Sequence, residues 1–514
     1  MTDYPAIGGE GLVGIKQKLQ SIFLVNDEQS DTPPTLPDNQ QEANLTGGEP
    51  VTLQHILDQF DDSADFIHKT YQSEHLDVLY FSHLVNEDRL ERDVLPPLLN
   101  AESPVDILSE QSKYVRVTNA KKCVEGILSG MAAIFCQEQA YLIDVIFPVS
   151  RTVAESETES IIVGPHEAFT EQAYTNLSLI RKRVQSSHLK VIQLSVGEVT
   201  KTSVYILYVE DIANEKYIKE VINRIKNIEI DAVHDTNMLI QCIDDDPYSI
   251  FAQFLTTERP DTIASKLVSG RIVGIMDGSP TAFSAPVNFF EFFSSSDDYY
   301  QRWSIGTATL FLRFAALIIT VTLTALYVAV TSFHYEMVPQ NLLLTLTESR
   351  SKVPFPPIIE ALLMEMTIEL LREAGARLPT KIGQTIGIVG GIVIGQAAVQ
   401  AGLTSNILII SVASSAIASF VIPNYVMSAA FRLFRFGLII MAGLWGNLGL
   451  AMGLAYIVIH LSGLTSLGSS YLTPVAPFEP YDWKDVFLRL PFSKLVKRPT
   501  QVKANNKVKL KMKR

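Results

Sequence analysis

Fifty consecutive residues of this chain, 382 to 431, carry no charged side chain. Two more uncharged stretches flank this run, Phe314–Phe333 and Phe436–Ile459. Each flanking stretch reaches the roughly twenty residues that an α-helix needs to cross a hydrocarbon core about 30 Å thick. No comparable stretch precedes them, so the sequence predicts a large polar region followed by a membrane domain.

The end of the chain is strongly basic. From Lys484 to Arg514 there are eleven Lys or Arg residues and one acidic residue, Asp485, although the whole chain has a net charge of −13. Basic residues just beyond a membrane segment are typical of the cytoplasmic side and attract acidic lipid headgroups. Aromatic residues are nearly absent from this tail, which argues against nucleic-acid binding. We expect a cytoplasmic tail that meets membrane lipid.

The start of the chain lacks the basic residues and continuous apolar core of a signal peptide. The polar region is therefore expected to stay in the cytoplasm. Cys123, Cys136 and Cys242 have no paired-ligand spacing, which argues against a disulfide framework or a cysteine zinc site. No cofactor and no metal is expected.

Composition divides the chain into five parts. Residues 1–50 are rich in Gly, Pro, Asp, Gln and Asn and are expected to be disordered. Two α/β subdomains follow, 51–150 and 151–300, then a membrane domain over 301–465 and the basic tail over 466–514. The predicted fold class is an α/β cytoplasmic region of two subdomains followed by an all-α transmembrane domain. That domain is expected to hold about four helices plus an amphipathic or re-entrant helix. No internal repeat is visible.

Hydrophobic periodicity predicts individual elements in both subdomains. The predicted strands are Leu76–Val85, Leu189–Leu194, Ser203–Val209 and Arg271–Met276, with a hairpin over Met131–Phe147. The predicted helices are Val51–Phe60, Arg89–Leu99 and Lys216–Lys226.

Seven aromatic residues precede the first membrane segment. Such density is typical of the membrane–water interface, and an aromatic core cluster is the alternative. We expect the interface because the span begins shortly afterwards. The residues are Phe289, Phe290, Phe292, Phe293, Tyr299, Tyr300 and Trp303.

A helical segment over Ile358–Ala376 contains four glutamates, Glu360, Glu365, Glu369 and Glu373. The last three share one helical face with Arg372. One interpretation is an interfacial amphipathic helix held by pairing of Glu369 with Arg372. The other is a vestibule of carboxylates at the mouth of a cation path. Both remain open, as does the number of spans.

Two short spans are predicted at Thr385–Ala401 and Ile407–Ile422. In the first, Gly387, Gly391 and Gly395 form a stripe of small residues that allows close helix packing. Gly446, Gly449 and Gly453 again give close-packing spacing in the last span, Phe436–Ile459.

The opposite stripe of the first short span is polar at both ends and apolar in the middle. Facing a pore, its valines would form a constriction that gates by dewetting. Alternatively, its glutamines hydrogen-bond to a neighbouring helix. The candidate pore-lining residues are Thr385, Val389, Val393, Gln396 and Gln400.

No serine–histidine–aspartate arrangement, phosphate-binding loop or metal-ligand spacing stands out, so an enzyme is not expected. His166, near Glu167 and Glu171, is a weak metal candidate, with a locally bonded loop histidine as the alternative. Asp244-Asp245-Asp246 before Pro247 favours a capping turn over a cation site.

Several motifs, in a consistent order, resemble the spore germination receptor A-subunit (GerA) family over about residues 60–500. The most extensive is the run from Pro354 to Leu403, PFPPIIEALLMEMTIELLREAGARLPTKIGQTIGIVGGIVIGQAAVQAGL. Shorter blocks are GPHEAFTE at 164–171, NLSLIRKR at 176–183, TERPD at 257–261, DGSP at 277–280, DDYY at 297–300 and YLTPVAP at 471–477.

The resemblance implies a nutrient germinant receptor subunit in the inner membrane of a bacterial spore. It would act with a transporter-like B subunit and a lipoprotein C subunit. It also implies a homo-oligomer, a pentamer, that forms a germinant-gated cation channel. The alternatives are a paralogue like stage V sporulation protein AF, which assists ion and dipicolinate release, or a secondary transporter. Neither the germinant nor the ion selectivity follows from the sequence.

Overall fold

The computed structural model describes residues 51–72, 75–101, 103–147, 156, 159, 163–377 and 395–509. The expectations for residues 1–50 lie outside the described residues. So do those for most of the junction between the subdomains and for residues 378–394.

The first sheet is antiparallel throughout and covered by helices on both faces. Its strands are β1 (Phe66–Tyr71), β2 (Leu76–Phe81), β3 (Tyr114–Val117), β4 (Met131–Cys136) and β5 (Gln139–Asp144), in spatial order β1-β2-β4-β5-β3. Its helices are α1 (Leu53–Gln59), α2 (Glu87–Arg89), a π-helical turn Leu90–Val94, α3 (Leu95–Leu99), α4 (Pro104–Glu110) and α5 (Ala120–Leu128). Helices α1 and α5 cover one face, and α3 and α4 cover the other. This burial explains why β2 is apolar on both sides.

The second sheet repeats this plan. Its strands are β6 (Leu189–Val196), β7 (Thr202–Val209), β8 (Leu255–Thr257), β9 (Ile272–Met276) and β10 (Ala282–Ala285), in order β6-β7-β9-β10-β8. Its helices are α6 (Ala173–Arg183), α7 (Glu215–Lys226), α8 (Thr236–Ile243) and α9 (Pro260–Val268). Helices α6 and α9 cover one face, and α7 and α8 cover the other. The two sheets therefore share strand order and helix placement, a repeat that the sequence did not reveal.

Each predicted strand and helix of the two subdomains has a counterpart in the structure, but β2 ends at Phe81, before the predicted Val85. The hairpin over Met131–Phe147 turns at Gln137 and Glu138, whose φ angles are 46° and 65°. The helix expected over Arg89–Leu99 is a π-helical turn followed by α3.

A buried ion pair joins the two sheets. Arg181 of α6 donates from Nε and Nη2 to the two carboxylate oxygens of Asp65, both at 2.8 Å. The guanidinium also lies over the Phe81 ring, 4.2 Å from its centroid. His83 lies 3.3 Å from the same carboxylate, and burial lowers the pKa of its imidazole to about 4. The neutral histidine leaves Arg181 as the buried positive partner of Asp65.

The C-terminal half of the chain is mainly helical. Its elements are α10 (Asp297–Tyr300), α11 (Trp303–Phe333), α12 (Gln340–Arg350), α13 (Pro357–Arg377), α14 (Asn406–Phe420) and α15 (Tyr425–Gly463), and residues 395–400 are also helical. By length and composition α11 and α15, with mean hydropathies of 2.2 and 1.7, qualify as helices that cross a membrane. We call the end of this bundle where α11 begins the near end, and the end where α11 finishes the far end.

Helix α15 folds back on itself at Gly446. Gly446 has φ 62° and ψ −140°, a left-handed conformation that favours glycine. A methyl group there would lie 2.9 Å from His334 Nε2 at the far end of α11. Beyond the turn, Gly449 packs against Met441 and Gly453 against Leu438. The last span, expected to be one helix, is therefore two antiparallel arms, 425–445 and 447–463.

The count of about four helices is not confirmed. Helices α13 and α14 run antiparallel to α11: Glu365 contacts Thr324, while Ser405 and Ser415 contact Tyr327 and Thr320. The two arms of α15 lie beside them, so five helical rods stand side by side among the described residues.

The second sheet is attached to the near end by a buried aromatic cluster. Phe289, Phe292 and Phe293 are at most 7% exposed. Phe289 packs against Phe251, Phe431 and Tyr471. The expected interfacial position is therefore wrong for these three residues, because protein covers their rings. Tyr300 and Trp303 are exposed, and for them it stays a prediction.

The basic tail folds onto the second sheet. Gln501 donates to the Val287 carbonyl oxygen at 2.7 Å, and Asn505 N donates to the Ile212 carbonyl oxygen at 3.0 Å. Arg498 donates to the carbonyl oxygens of Val268 and Asn506 at 2.9 and 3.0 Å. The tail and the sheets therefore lie on the same side of the bundle.

Arg181→Ala is expected to lower the free energy of unfolding of the two-sheet region by about 3–5 kcal/mol, since it leaves the Asp65 carboxylate buried without its charge partner. Thermal or denaturant unfolding followed by circular dichroism measures the effect.

Arg183→Ala on the same helix is the matched control. Its pair with Glu167 is partly exposed, so the cost should stay below about 1 kcal/mol. Equal losses for the two variants would contradict the assignment of Arg181 as the lock between the sheets.

Candidate functional site

A cluster of polar and charged side chains lies inside the helical bundle, drawn from four helices. We call it the buried polar cluster. Hydroxyls spaced four residues apart on α11 and α14 point to one side of each helix, because this spacing returns to the same face. Its members are Thr320 and Thr324 of α11, Glu365, Glu369 and Arg372 of α13, Ser415 and Ser419 of α14, and Ser428, Arg432 and Arg435 of α15.

The centre of the cluster is a fully buried ion pair. Arg435 Nη2 lies 2.6 Å from Glu365 Oε2, and both side chains are inaccessible to solvent. Thr324 donates to Glu365 Oε1 at 2.8 Å, and Arg435 Nη1 donates to Ser415 Oγ at 2.7 Å. Ser415 in turn donates to the Thr320 carbonyl oxygen at 3.1 Å. One connected set of polar contacts thus joins all four helices.

A second ion-paired group lies closer to the near end. Arg432 Nε donates to Glu369 Oε1 at 3.1 Å, and Arg372 Nη1 lies 3.5 Å from Glu369 Oε2. Arg372 Nη2 donates to Ser419 Oγ at 3.0 Å, and the guanidinium stacks over the Phe420 ring at 4.7 Å. The predicted proximity of Glu369 and Arg372 is therefore present, inside a bundle.

The four predicted carboxylates occupy different environments. Glu360 is buried and accepts hydrogen bonds from Thr404 Oγ1 at 3.1 Å and Ser405 N at 2.5 Å, which ties the start of α13 to the start of α14. Glu365 is buried in the cluster, and Glu369 is partly exposed. Glu373 is mostly exposed and pairs with Arg377 at 2.6 Å. A role for these residues as a vestibule stays a prediction.

Only part of the predicted pore stripe is described. Thr385, Val389, Val393, Gly387 and Gly391 lie outside the described residues. Gln396 and Gln400 are exposed on the helical segment 395–400. A methyl group at Gly395 would meet no described heavy atom within 4 Å. Ala398, on another face of the segment, is buried.

Asp245 connects the segment that follows α15 to the second sheet. Its carboxylate pairs with Arg224 at 2.5 Å and accepts from Gly468 N at 2.9 Å and from the Thr465 hydroxyl. The acidic run is therefore a structural turn, as favoured above. Burial, reinforced by the charge of Asp245, raises the pKa of Asp244 to about 7.

Another buried cluster holds the near end of α11. Arg313 pairs with Asp298 at 2.5 Å. Arg489 of the tail pairs with Asp485 at 2.6 Å and lies over the Tyr299 ring at 4.1 Å. This cluster joins α10, α11 and the tail.

In the part of the chain that the structure describes, His166 belongs to no cluster that could hold a metal ion. Among the described residues, no group of three or more His, Cys, Asp or Glu side chains is placed to hold a metal ion.

Sequence reasoning missed the roles of Arg432, Arg435 and the hydroxyls. The sequence nevertheless contains a physical indication of the arginine roles. Two arginines border an uncharged segment, and glutamates occur in a neighbouring helix. Charges in apolar surroundings need partners, so these residues were candidates for pairing with one another.

A family model described as Bacillus/Clostridium GerA spore germination protein matches residues 54–501. Spore germination protein GerQA of Bacillus cereus is 42% identical over 460 residues, covering 87% of this chain and 92% of the relative. Spore germination protein A1 of Bacillus subtilis (strain 168) is 39% identical over 438 residues, covering 83% of this chain and 91% of the relative.

One solved structure also matches. It is the crystal structure of the N-terminal domain of the A subunit of the Bacillus megaterium spore germinant receptor GerK3. It is 24% identical, with a TM-score of 0.34, and the match covers 46% of this chain and 94% of that chain.

Glu365→Ala is expected to destabilise the helical bundle by about 3–5 kcal/mol, because it leaves the Arg435 guanidinium buried without a counter-charge. Thermal unfolding of the purified full-length protein, with loss of monodispersity in size-exclusion chromatography, measures this. Adding Arg435→Met to the same chain should recover part of the loss.

Glu373→Ala removes a carboxylate from the same helix whose pair with Arg377 is exposed. This substitution should lower the stability of the bundle by less than about 0.5 kcal/mol. A bundle equally stable with Glu365→Ala and with Glu373→Ala would refute the central role of the buried pair.

Proposed function

This chain belongs to the Bacillus/Clostridium GerA spore germination protein family, and on that premise we propose that it is the A subunit of a nutrient germinant receptor. Its relatives at 42% and 39% identity, matched over most of their length, are named spore germination proteins. In the proposed complex it acts with a transporter-like B subunit and a lipoprotein C subunit. The role supported directly by these relatives is one in spore germination.

The helical half is proposed to lie in the inner membrane of the spore, with the two sheets and the tail on the cytoplasmic side. The apolar α11 and α15 support membrane insertion. The tail hydrogen bonds to the second sheet support a common side for both.

We propose six crossings of the membrane. Five are the described rods: α11, α13, α14 and the two arms of α15. The sixth is the connection from Arg377 to Gly402, whose ends lie at opposite ends of the bundle. Gly402 lies against the Lys352 carbonyl at the far end, whereas Arg377 is two turns beyond Glu369 at the near end. This even number agrees with a tail and sheets on one side.

The proposed activity is a germinant-gated cation channel formed by several copies of the chain. The observation that carries this proposal is the open face of segment 395–400. Gly395 has free space where a side chain would project, and Gln396 and Gln400 are exposed, while Ala398 packs inward. Small residues on an apolar helix allow close approach of another helix. A ring of identical copies would supply that helix and place the Val/Gln stripe around a common axis.

Val393→Ala is expected to raise cation leakage in the absence of germinant, because it widens the valine constriction that closes by dewetting, and Gln396→Ala is expected to change conductance, because it removes an amide from the polar end of the stripe. Conductance of the purified receptor in planar bilayers, together with potassium loss from dormant spores, measures the effect.

Ile417→Ala is the control, since this side chain is 67% exposed on α14 and outside the proposed stripe. It should leave conductance unchanged. If all three variants conduct like the unmodified receptor, the pore assignment is wrong.

Gly395→Leu tests assembly separately from conduction. Because the single chain has room for a side chain at this position, the variant should fold and insert normally. It should nevertheless lose the oligomer, since a leucine would separate neighbouring copies. Native mass spectrometry or crosslinking of membranes measures the oligomer, and unchanged assembly would contradict packing through this stripe.

A further inference from the structure

A cleft of about 710 Å³ opens at the far end of the bundle. It lies between the end of α11, the helix α12 and the start of α13, at the opposite end of the bundle from the sheets. Its volume falls in the range of about 300–1,000 Å³ that is usual for small-molecule sites. A cleft of this volume can hold a small ligand. The side chains that line it determine which chemical class of ligand it binds.

The lining of the cleft includes hydrogen-bond donors that have no side-chain partner among the described residues. Arg350, Ser332 and Tyr335 line the cleft, and none of their side chains makes an ion pair or hydrogen bond with another residue that the structure describes. Among the residues that the structure describes, no carboxylate lines the cleft.

The side chain of Arg350 is not needed to cap the C-terminal end of its own helix. Arg350 is the last residue of α12, and the carbonyl oxygens at this end are already bonded by backbone groups. Ser351 N donates to the Thr347 carbonyl at 3.0 Å, and Val353 N donates to the Arg350 carbonyl at 2.9 Å. The charge of Arg350 is therefore available to a ligand.

The cleft also has an apolar surface, which is firmly supported. Leu343, Leu346 and Ile358 line it, and Leu346 is only 8% exposed. Ile358 sits directly against Gly443 of α15, where any side chain would collide with it. The floor of the cleft is thus fixed by helix packing rather than by a loop.

We propose that this cleft binds an amphipathic monoanion, with a carboxylate or phosphate head and a short aliphatic body. The head would receive a forked pair of hydrogen bonds from Arg350, a geometry that suits carboxylate and phosphate oxygens, with further donation from Ser332 and Tyr335. The aliphatic body would lie on Leu343, Leu346 and Ile358. A free small carboxylic acid and an anionic lipid headgroup share this chemistry. The proposal does not depend on channel formation.

The test uses the full-length protein in nanodiscs of phosphatidylcholine. Sodium hexanoate is titrated into one set of samples, and a second set contains phosphatidylglycerol in the discs. A ligand that binds only the folded protein raises its thermal unfolding midpoint in a concentration-dependent way. Arg350→Gln should weaken the response about tenfold or more, because a charge-assisted hydrogen-bond pair is lost.

Lys352→Gln is the matched control. It removes a nearby positive charge that is exposed and does not line the cleft, so its response should equal that of the unmodified protein. A hexanoate response lost with Arg350→Gln and kept with Lys352→Gln supports a free carboxylate ligand. The same pattern with phosphatidylglycerol alone supports a lipid headgroup.

Three results would overturn the proposal: no response of the unmodified protein to either probe, an unchanged response in Arg350→Gln, or an equal loss in Lys352→Gln. If Arg350→Gln does not fold, Tyr335→Phe replaces it. This variant removes one donor at an exposed position, and an undiminished response would again exclude the site.

Discussion

A carboxylate and a guanidinium lie side by side at the centre of the helical bundle, both fully buried, Glu365 of α13 and Arg435 of α15. Transferring either charge alone from water to an apolar interior costs on the order of 20 kcal/mol in the idealised limit. Neither helix can therefore take its position without the other. Thr324 and Ser415 then satisfy the remaining oxygens and protons, which adds α11 and α14 to the same arrangement.

The two sheets are joined to this bundle by buried contacts at the near end. Phe251 stacks on Phe434 and also packs against Phe431, on the first arm of α15, and against His460, on the second. Asp245 accepts hydrogen bonds from Thr465 and Gly468, just after α15, and Arg489 of the tail lies by Asp298 of α10, which pairs with Arg313 of α11. A rearrangement of either arm must disturb the packing around Phe251. The second sheet is therefore physically coupled to the bundle, whereas the first sheet packs on the second sheet, through contacts that include Arg181–Asp65 and the Ala64 N to Val191 carbonyl hydrogen bond.

The sequence predicted the elements well because most of them carry a clear periodicity. Strands such as β7 and helices such as α11 are long apolar patterns whose type hardly depends on tertiary context. The turn at Gly446 was missed because it does not interrupt the apolar run. Glycine is common in apolar helices, and Gly446 differs from a helical glycine only in its φ of 62°, which the sequence does not reveal.

The repeat of the two sheets was missed for a different reason. It is a repeat of strand order and helix placement, carried by different side chains. The buried polar cluster was predictable from the sequence only in part. Helical spacing placed Glu365, Glu369 and Arg372 on one face, but periodicity does not identify the partner helix, so Arg435 and Ser415 remained unassigned.

The burial of Glu360 and Glu365 limits how a channel built from this chain would select cations. Glu360 is occupied by Thr404 and Ser405, and Glu365 by Arg435, so in this packing neither carboxylate faces an aqueous path. The exposed stripe at Gln396 and Gln400 presents amide groups, which orient toward ions without carrying a net charge. Glu369 and Glu373, with side chains 33% and 59% exposed, lie at the near end of the same bundle. Both are also paired with arginines, Glu369 with Arg372 and Arg432 and Glu373 with Arg377. In the proposed channel, the narrow part would therefore set conduction by hydration, and a preference for cations through these carboxylates would require their ion pairs to open.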